Sequence, residues 1–131
     1  MNDSERQFLS EPNSAIVATV DDDGLPVQSV VWYVPDGDGL WFSTRPSSVK
    51  VRHLRREPRL SVLIIGPGGG SYVRLEGRAE MVEEVGDAAR LELITRYVGP
   101  DDAPAWIAAH PLAGPNQLVR IRPDRVVSYG L

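Results

Sequence analysis

Lys50, Arg52, Arg55 and Arg56 place four of the chain's 14 lysines and arginines within seven residues, in a protein whose formal net charge is -4. They follow a strand-like run, Leu40-Trp41-Phe42-Ser43-Thr44, and then Pro46 and Ser47, a good N-cap for a helix from about Ser47 to Arg56. Free backbone N–H groups at a helix start, hydroxyls before it and a lysine in its first turn are the parts of an anion site. Such a site suits a phosphate or phosphodiester group, which needs cationic partners and N–H donors; Ser47, Ser48, Lys50 and the helix start supply them. The same run of charge also suits the solvated face of a surface helix, so its surroundings decide between the two.

Other chemistries are excluded more simply. The chain has no cysteine, which rules out disulfides, thiolate nucleophiles, iron–sulfur clusters and cysteine zinc sites. His53 and His110 have no second histidine or cysteine at ligand spacing, so no metal site is expected, and both read as surface residues. The stretch Gly66-Pro67-Gly68-Gly69-Gly70 lacks the Gly-Lys-Ser/Thr ending of a phosphate-binding P-loop and reads as a mobile hairpin turn. Asp21 to Gly24 resembles part of a calcium loop, but Thr19 and Val30 stand where ligands are needed. There is no Gly-x-Ser-x-Gly elbow, and the acidic pairs Glu83-Glu84 and Asp101-Asp102 read as turn or helix-start residues. An isoelectric point near 5.1 argues against nucleic acid as a partner. No apolar run approaches the roughly 18 residues that span a bilayer, and the opening MNDSERQF carries no secretory core, so the expectation is a cytoplasmic protein without a membrane partner.

The elements that must position the basic helix follow from turns and periodicity. The 131 residues, with 42% apolar and 24% charged side chains, read as one domain over 1–131. Asp3-Ser4 is expected to cap a short helix carrying Phe8 and Leu9. Strands are expected over Ala15–Val20, Val27–Val34 and Leu40–Thr44, separated by turns at Asp23-Gly24 and at Pro35 to Gly39. Beyond the basic helix, with Val51 and Leu54 inward, come strands at Leu60–Ile65 and Tyr72–Val82. A helix over Gly86–Tyr97 shows a stripe of Ala88, Leu91, Ile94 and Val98, and a shorter helix carries Trp106. Two final strands, Leu118–Ile121 and Val126–Tyr129, flank Pro123-Asp124. Mostly antiparallel strands with three or four helices predict a mainly β, α+β domain built as a small barrel.

The order of these motifs is specific. The run AIVATVDDDGLPVQSVVWYVPDGDGLWFSTRPSSVKVRHLRREPRLSVLI resembles the flavin and deazaflavin oxidoreductase superfamily typified by pyridoxamine 5'-phosphate oxidase, and most closely its compact branch using coenzyme F420. The similarity continues through SYVRLEGRAEMV and LVRIRPDRVVSYG. It implies an FMN-binding-like split β-barrel that forms a homodimer, with a cofactor in each of two grooves at the subunit interface. Gln28, Ser29, Val30, Val31 and Trp32 match the strand lining the cofactor's ring, and Val30, Val31 and Trp32 suit an apolar slot for it. Trp32 suits core packing equally. Ser43 and Thr44 match the hydroxyl-bearing strand end beside the cofactor, Lys50 the lysine that grips its phosphate or tail, and Val49 that lysine's neighbour. Tyr72 falls where another contact lies on the next long strand. One departure is Ser48, where many relatives have arginine; Arg52, a turn away, compensates. Trp106, Arg120 and Arg122 are expected to reach the partner subunit's groove.

The implied function is an F420-dependent oxidoreductase that passes a hydride from reduced deazaflavin to a small, electron-poor organic substrate. The cofactor carries that chemistry and the protein orients it. No catalytic side chain is assigned; Tyr72 or bound water is available for the proton. The alternatives are an FMN-dependent oxidoreductase, a non-catalytic F420 or flavin-binding protein, and a structural homodimer with an empty groove. FMN's terminal phosphate wants a denser positive cluster than a phosphodiester, so Ser48 favours F420. Substrate choice is expected in the loops Gly66–Gly70 and Ala109–Pro115.

Overall fold

Seven antiparallel strands run through this computed structural model, which describes residues 1–83 and 87–131. They are β1 (Ala15–Val20), β2 (Pro26–Val31), β3 (Tyr33–Asp36), β4 (Gly39–Thr44), β5 (Arg59–Ile65), β6 (Tyr72–Glu83) and β7 (Gln117–Tyr129). Their order in the sheet is β2-β1-β5-β6-β7-β4-β3. The two edge strands, β2 and β3, are joined through the single residue Trp32, so the sheet must curl until its edges meet. This is the expected barrel, split at one seam. Inside it pack Val17, Tyr33, Phe42, Val62, Leu75 and Ile121, all almost fully buried.

The expected second strand, Val27–Val34, is therefore two strands. Val31 pairs with Ala15 of β1, whereas Tyr33 pairs with Phe42 of β4, and the chain changes neighbours at Trp32. The expected final pair is, conversely, one continuous strand. Pro123 cannot donate to a ladder, and β6 accommodates it with a register shift between Glu76 and Gly77. Gly77 lies there because a Cβ would meet the Arg122 carbonyl oxygen at 2.6 Å.

Four helices flank the barrel: α1 (Asp3–Ser10), α2 (Val49–Arg56), α3 (Ala88–Val98) and α4 (Ala103–Ala109). Asn2, rather than Asp3 or Ser4, caps α1: its side chain accepts from the Glu5 amide while Glu5 accepts from the Asn2 amide, both at 2.8 Å. The carbonyls at the other end of α1 are satisfied by Tyr33, whose hydroxyl donates to Leu9 and Glu11, and by Arg96, which donates to Leu9, Ser10 and Glu11. Ser48 caps α2 in place of Ser47, its hydroxyl accepting from the Val51 amide at 3.4 Å.

Val51 and Leu54 face inward as expected, but His53 is buried too, with its Nδ1 2.9 Å from the Thr19 hydroxyl on β1. That hydroxyl gives the imidazole a partner in the interface between α2 and β1, so it is not a surface residue. On α3 the buried residues are Leu93 and Ile94, while Leu91 of the expected stripe is 47% exposed. Gly86, the expected start of that helix, and Glu84 lie outside the described residues.

Candidate functional site

A cleft of about 480 Å³ opens beside the seam. The end of β2 brings Val30 and Val31 to it, the seam itself Trp32, the end of β4 Ser43 and Thr44, and the first turn of α2 Lys50. These six residues, scattered over a stretch of sequence, share one wall because β2 and β4 reach the seam from opposite edges of the sheet. The facing wall comes from α3, α4 and the loop after α4.

An aromatic array holds this wall in place. Trp32 stacks on Tyr97 with ring centroids 4.6 Å apart and planes within 3°, and Trp106 lies 5.9 Å from Trp32 at a tilt. His110 stacks on Trp106 at 3.9 Å. Tyr97 also repairs the seam: its hydroxyl accepts from the Tyr33 amide at 3.2 Å and donates to the Asn13 carbonyl at 2.7 Å. Burial pushes the Tyr97 phenol above its ordinary range, which keeps it neutral and able to donate.

Among the described residues the charged side chains lining the cleft are Arg45, Lys50 and Arg90, with no carboxylate. Desolvation lowers the pKa of Lys50 from its ordinary value. A half-buried ammonium group with no anion beside it gains from any anion that enters. Asn116 donates to the Ser43 hydroxyl at 3.0 Å, which leaves the Ser43 hydrogen free to donate into the cleft. The arrangement therefore offers an apolar, aromatic slot at one side and donors with positive charge at the other. It fits a flat ring carrying an anionic tail.

A larger cleft, about 630 Å³, lies along the outer surface of β1, β5 and β6. Its arginines are already paired: Arg74 with Glu76 at 2.9 Å, Arg59 with Glu57, and Arg125 with Glu76 at 4.0 Å. The smaller cleft, with its uncompensated cations, is the better site for a charged ligand.

The remaining expected residues lie outside the smaller cleft. Gln28 is exposed on the outer face of β2, opposite Ala18, and Ser29 faces the other way, opposite Val17. The Ser48 hydroxyl is committed to its cap, and Val49 and Arg52 are exposed on α2. Tyr72 stacks on Tyr129 across the β6–β7 ladder, with centroids 5.8 Å apart. Arg120 pairs with Asp36 at 2.7 Å, Arg122 is exposed on β7, and Trp106 lines this chain's own cleft. Sequence reasoning missed Arg45, Arg90, His110 and Asn116. A signal for His110 was present, since residues four apart share a helix face and His110 follows Trp106 by four.

The split barrel, the seam and the cleft define a class of fold that comparison identifies directly. A structure described as an F420 reductase superposes with a TM-score of 0.78, covering 97% of this chain and 98% of that one at 24% identity. A conserved hypothetical protein from Mycobacterium tuberculosis superposes at 0.75, with 29% identity over 98% of this chain and 84% of that one. The sequence pattern of the family described as pyridoxamine 5'-phosphate oxidase matches residues 1–129, and the chain belongs to that family. Among curated relatives, a pyridoxine/pyridoxamine 5'-phosphate oxidase from Rhodopseudomonas palustris is 35% identical over 83 residues, 63% of this chain and 39% of that protein. The chain thus spans about two-fifths of the length of that oxidase.

Proposed function

We propose that the protein is an oxidoreductase that uses reduced coenzyme F420 to reduce a small, electron-poor organic substrate. One observation carries this reading: the cleft sets Val30, Val31 and Trp32 against the hydroxyls of Ser43 and Thr44 and the ammonium of Lys50, with no carboxylate among its described lining. Lys50 and Arg45 hold the anionic part of the cofactor, the Ser43 and Thr44 hydroxyls donate to it, and Trp32 with its valine neighbours excludes water from the ring. When bound, the reduced deazaflavin supplies a hydride; the side chains orient the partners and shield them.

Two features favour F420 over FMN. Ser48 stands outside the cleft lining where many relatives have arginine, so the anion site has less positive charge than a terminal phosphate wants. The cleft also continues past Arg45 into a trough of about 620 Å³ along Pro111 to Asn116, which has room for a longer tail. FMN is the second reading, favoured by the pair of cations, Arg45 and Lys50, beside the two hydroxyls.

The working unit is a homodimer. On the outer face of the sheet Val30, Ile16 and Leu63 form one apolar row across β2, β1 and β5, and Val30 is 67% exposed. A second copy covering that row would bury Val30 and lie beside Gln28, which shares its face of β2.

Fluorescence titration with F420 and separately with FMN tests the cofactor, and light scattering tests for twice the 14.4 kDa chain mass. Micromolar or tighter F420 binding by a dimer is expected. Tighter binding of FMN moves the protein to the second reading, and binding of neither refutes both.

A further inference from the structure

We propose that His110 supplies the proton that accompanies hydride transfer in the cleft, through its Nε2 atom, with Trp106 and Arg90 as positioning residues. The proposal rests on the oxidoreductase reading above. It starts from the hydrogen bond between His110 Nδ1 and the Trp106 carbonyl oxygen, 2.7 Å long. A carbonyl oxygen only accepts, so Nδ1 carries a hydrogen in this bond and Nε2 is the nitrogen left to gain or lose one. The ring is held from two further sides. It stacks on Trp106 at 3.9 Å, and the Arg90 side chain donates to the His110 carbonyl while its guanidinium lies 5.9 Å over the Trp106 ring.

The rest of the cleft offers no equivalent group. Arg45, Lys50 and Arg90 are cations suited to holding anions; Ser43 and Thr44 are hydroxyls and Asn116 an amide. Among the described residues no aspartate, glutamate or tyrosine lines the cleft, and the chain has no cysteine. Tyr72, available for this role on sequence grounds, is stacked on Tyr129 outside the cleft. Histidine is the side chain whose ordinary pKa lies near neutrality, and His110 is exposed, so solvent can restore its proton after each turnover. The other histidine, His53, is buried with Nδ1 held by Thr19.

The chemistry balances for an alkene conjugated to a carbonyl. When bound, the reduced cofactor would supply a hydride, with two electrons, at the β-carbon, and the carbon–carbon π bond would open toward the α-carbon. The imidazolium gives its Nε2 proton to that carbon, so one π bond is lost and two C–H bonds form. His110 is left as the neutral Nδ1–H tautomer, the form that the Trp106 carbonyl stabilises.

The test uses His110→Gln and His110→Phe, the second keeping a stackable ring, with 2-cyclohexenone as the probe substrate. Nitrogen NMR of the cofactor-free protein should show His110 as the Nδ1–H tautomer when neutral, told apart from His53 by its loss in the variants. Both variants should bind cofactor within about twofold of wild type and lose kcat by roughly a hundredfold or more. They should also change the pH profile of kcat relative to wild type. An Nε2–H tautomer, or variants that keep kcat and its pH profile, overturns the proposal. So does a wild type that binds reduced cofactor and leaves the enone unreduced; the cofactor reading then stands. If neither F420 nor FMN binds, both readings fall together.

Discussion

Lys50→Met separates binding from folding because the two should respond in opposite directions. Methionine keeps an unbranched, apolar stem of similar length and removes only the ammonium group. In the folded protein that group is half-buried at the cleft, and desolvation alone accounts for its lowered pKa. A charge-assisted hydrogen bond to an anion contributes about 1.5–3 kcal/mol. At about 1.4 kcal/mol per tenfold, removing it should weaken F420 binding by roughly ten- to a hundredfold. The cofactor-free fold, relieved of a desolvated charge, should melt no lower than wild type and somewhat higher. The pH dependence follows in sign. Because the folded-state pKa lies below the ordinary value of 10.5, the unfolded chain binds more protons between the two values, and wild-type stability rises with pH across that window. Anion affinity moves the other way: it is full while Lys50 is protonated and falls as pH passes through the lowered pKa. The variant should show neither trend. Fluorescence titration and thermal melting of the same preparations read both quantities. Unchanged affinity removes Lys50 from the site, and a melting temperature several degrees lower makes its role structural and refutes the reasoning.

Gly39→Ala would place its Cβ 1.9 Å from the backbone oxygen of Ile121, and neither strand can withdraw without breaking the β4–β7 ladder. Melting should fall by roughly 5–10 °C, from an overpacking cost of about 1–3 kcal/mol, whereas Gly114→Ala, which meets nothing within 4 Å, should leave it unchanged. Equal melting of the two variants would contradict the close approach. Tyr33→Phe removes two hydrogen bonds to carbonyls that Arg96 also serves, so urea denaturation near neutrality should show a loss of only about 1 kcal/mol. Burial, reinforced by Tyr97, holds the Tyr33 phenol well above its ordinary pKa of 10.0. Its contribution is therefore full below pH 10 and is lost as pH rises toward the folded-state value. Wild type should lose stability in that alkaline range faster than Tyr33→Phe; parallel curves would show that the phenol does not carry the loss.

Local signals in the sequence located most elements, because turns are written locally. Asp23-Gly24 and Asp36-Gly37 end strands through their own backbone preferences, and the in-out alternation of Ala15–Val20 survives into the barrel unchanged. The misreadings involve partners far away in the chain. Val27–Val34 reads as one strand because Val30 to Val34 is an unbroken apolar run with Val31 and Tyr33 both buried, so nothing local marks the change of neighbour from β1 to β4. His53 reads as one more polar residue on a basic helix; only Thr19, 34 residues away, makes its burial tolerable. Leu91 and Leu93 are equally apolar, and what packs against α3 decides which of them is covered. For the site, the motif order brought out Ser43, Thr44 and Lys50, which the fold gathers into one cleft. The spacing of Trp106 and His110 puts those two on one face, but setting them with Arg90 against the cleft depends on how α3 and α4 dock.

The seam explains why the cleft lies where it does. A closed barrel would give Tyr33 a second strand neighbour, opposite Phe42 of β4, and bury the residue before it. Here β2 and β3 part at Trp32, the Tyr33 amide donates its hydrogen bond to the Tyr97 hydroxyl of α3, and the indole lies flat against the same tyrosine. The helix thereby satisfies the backbone group that splitting the barrel leaves without a strand neighbour. In doing so it holds an aromatic face open at the surface, within one cleft of the strand end that carries Ser43 and Thr44 and the helix start that carries Lys50. Anchoring at both neighbours of the indole, by Val31 and Tyr33 in the core, leaves little freedom for Trp32 to collapse inward. The apolar half of the site is thus a consequence of how the sheet fails to close, and the cationic half of where the basic helix begins.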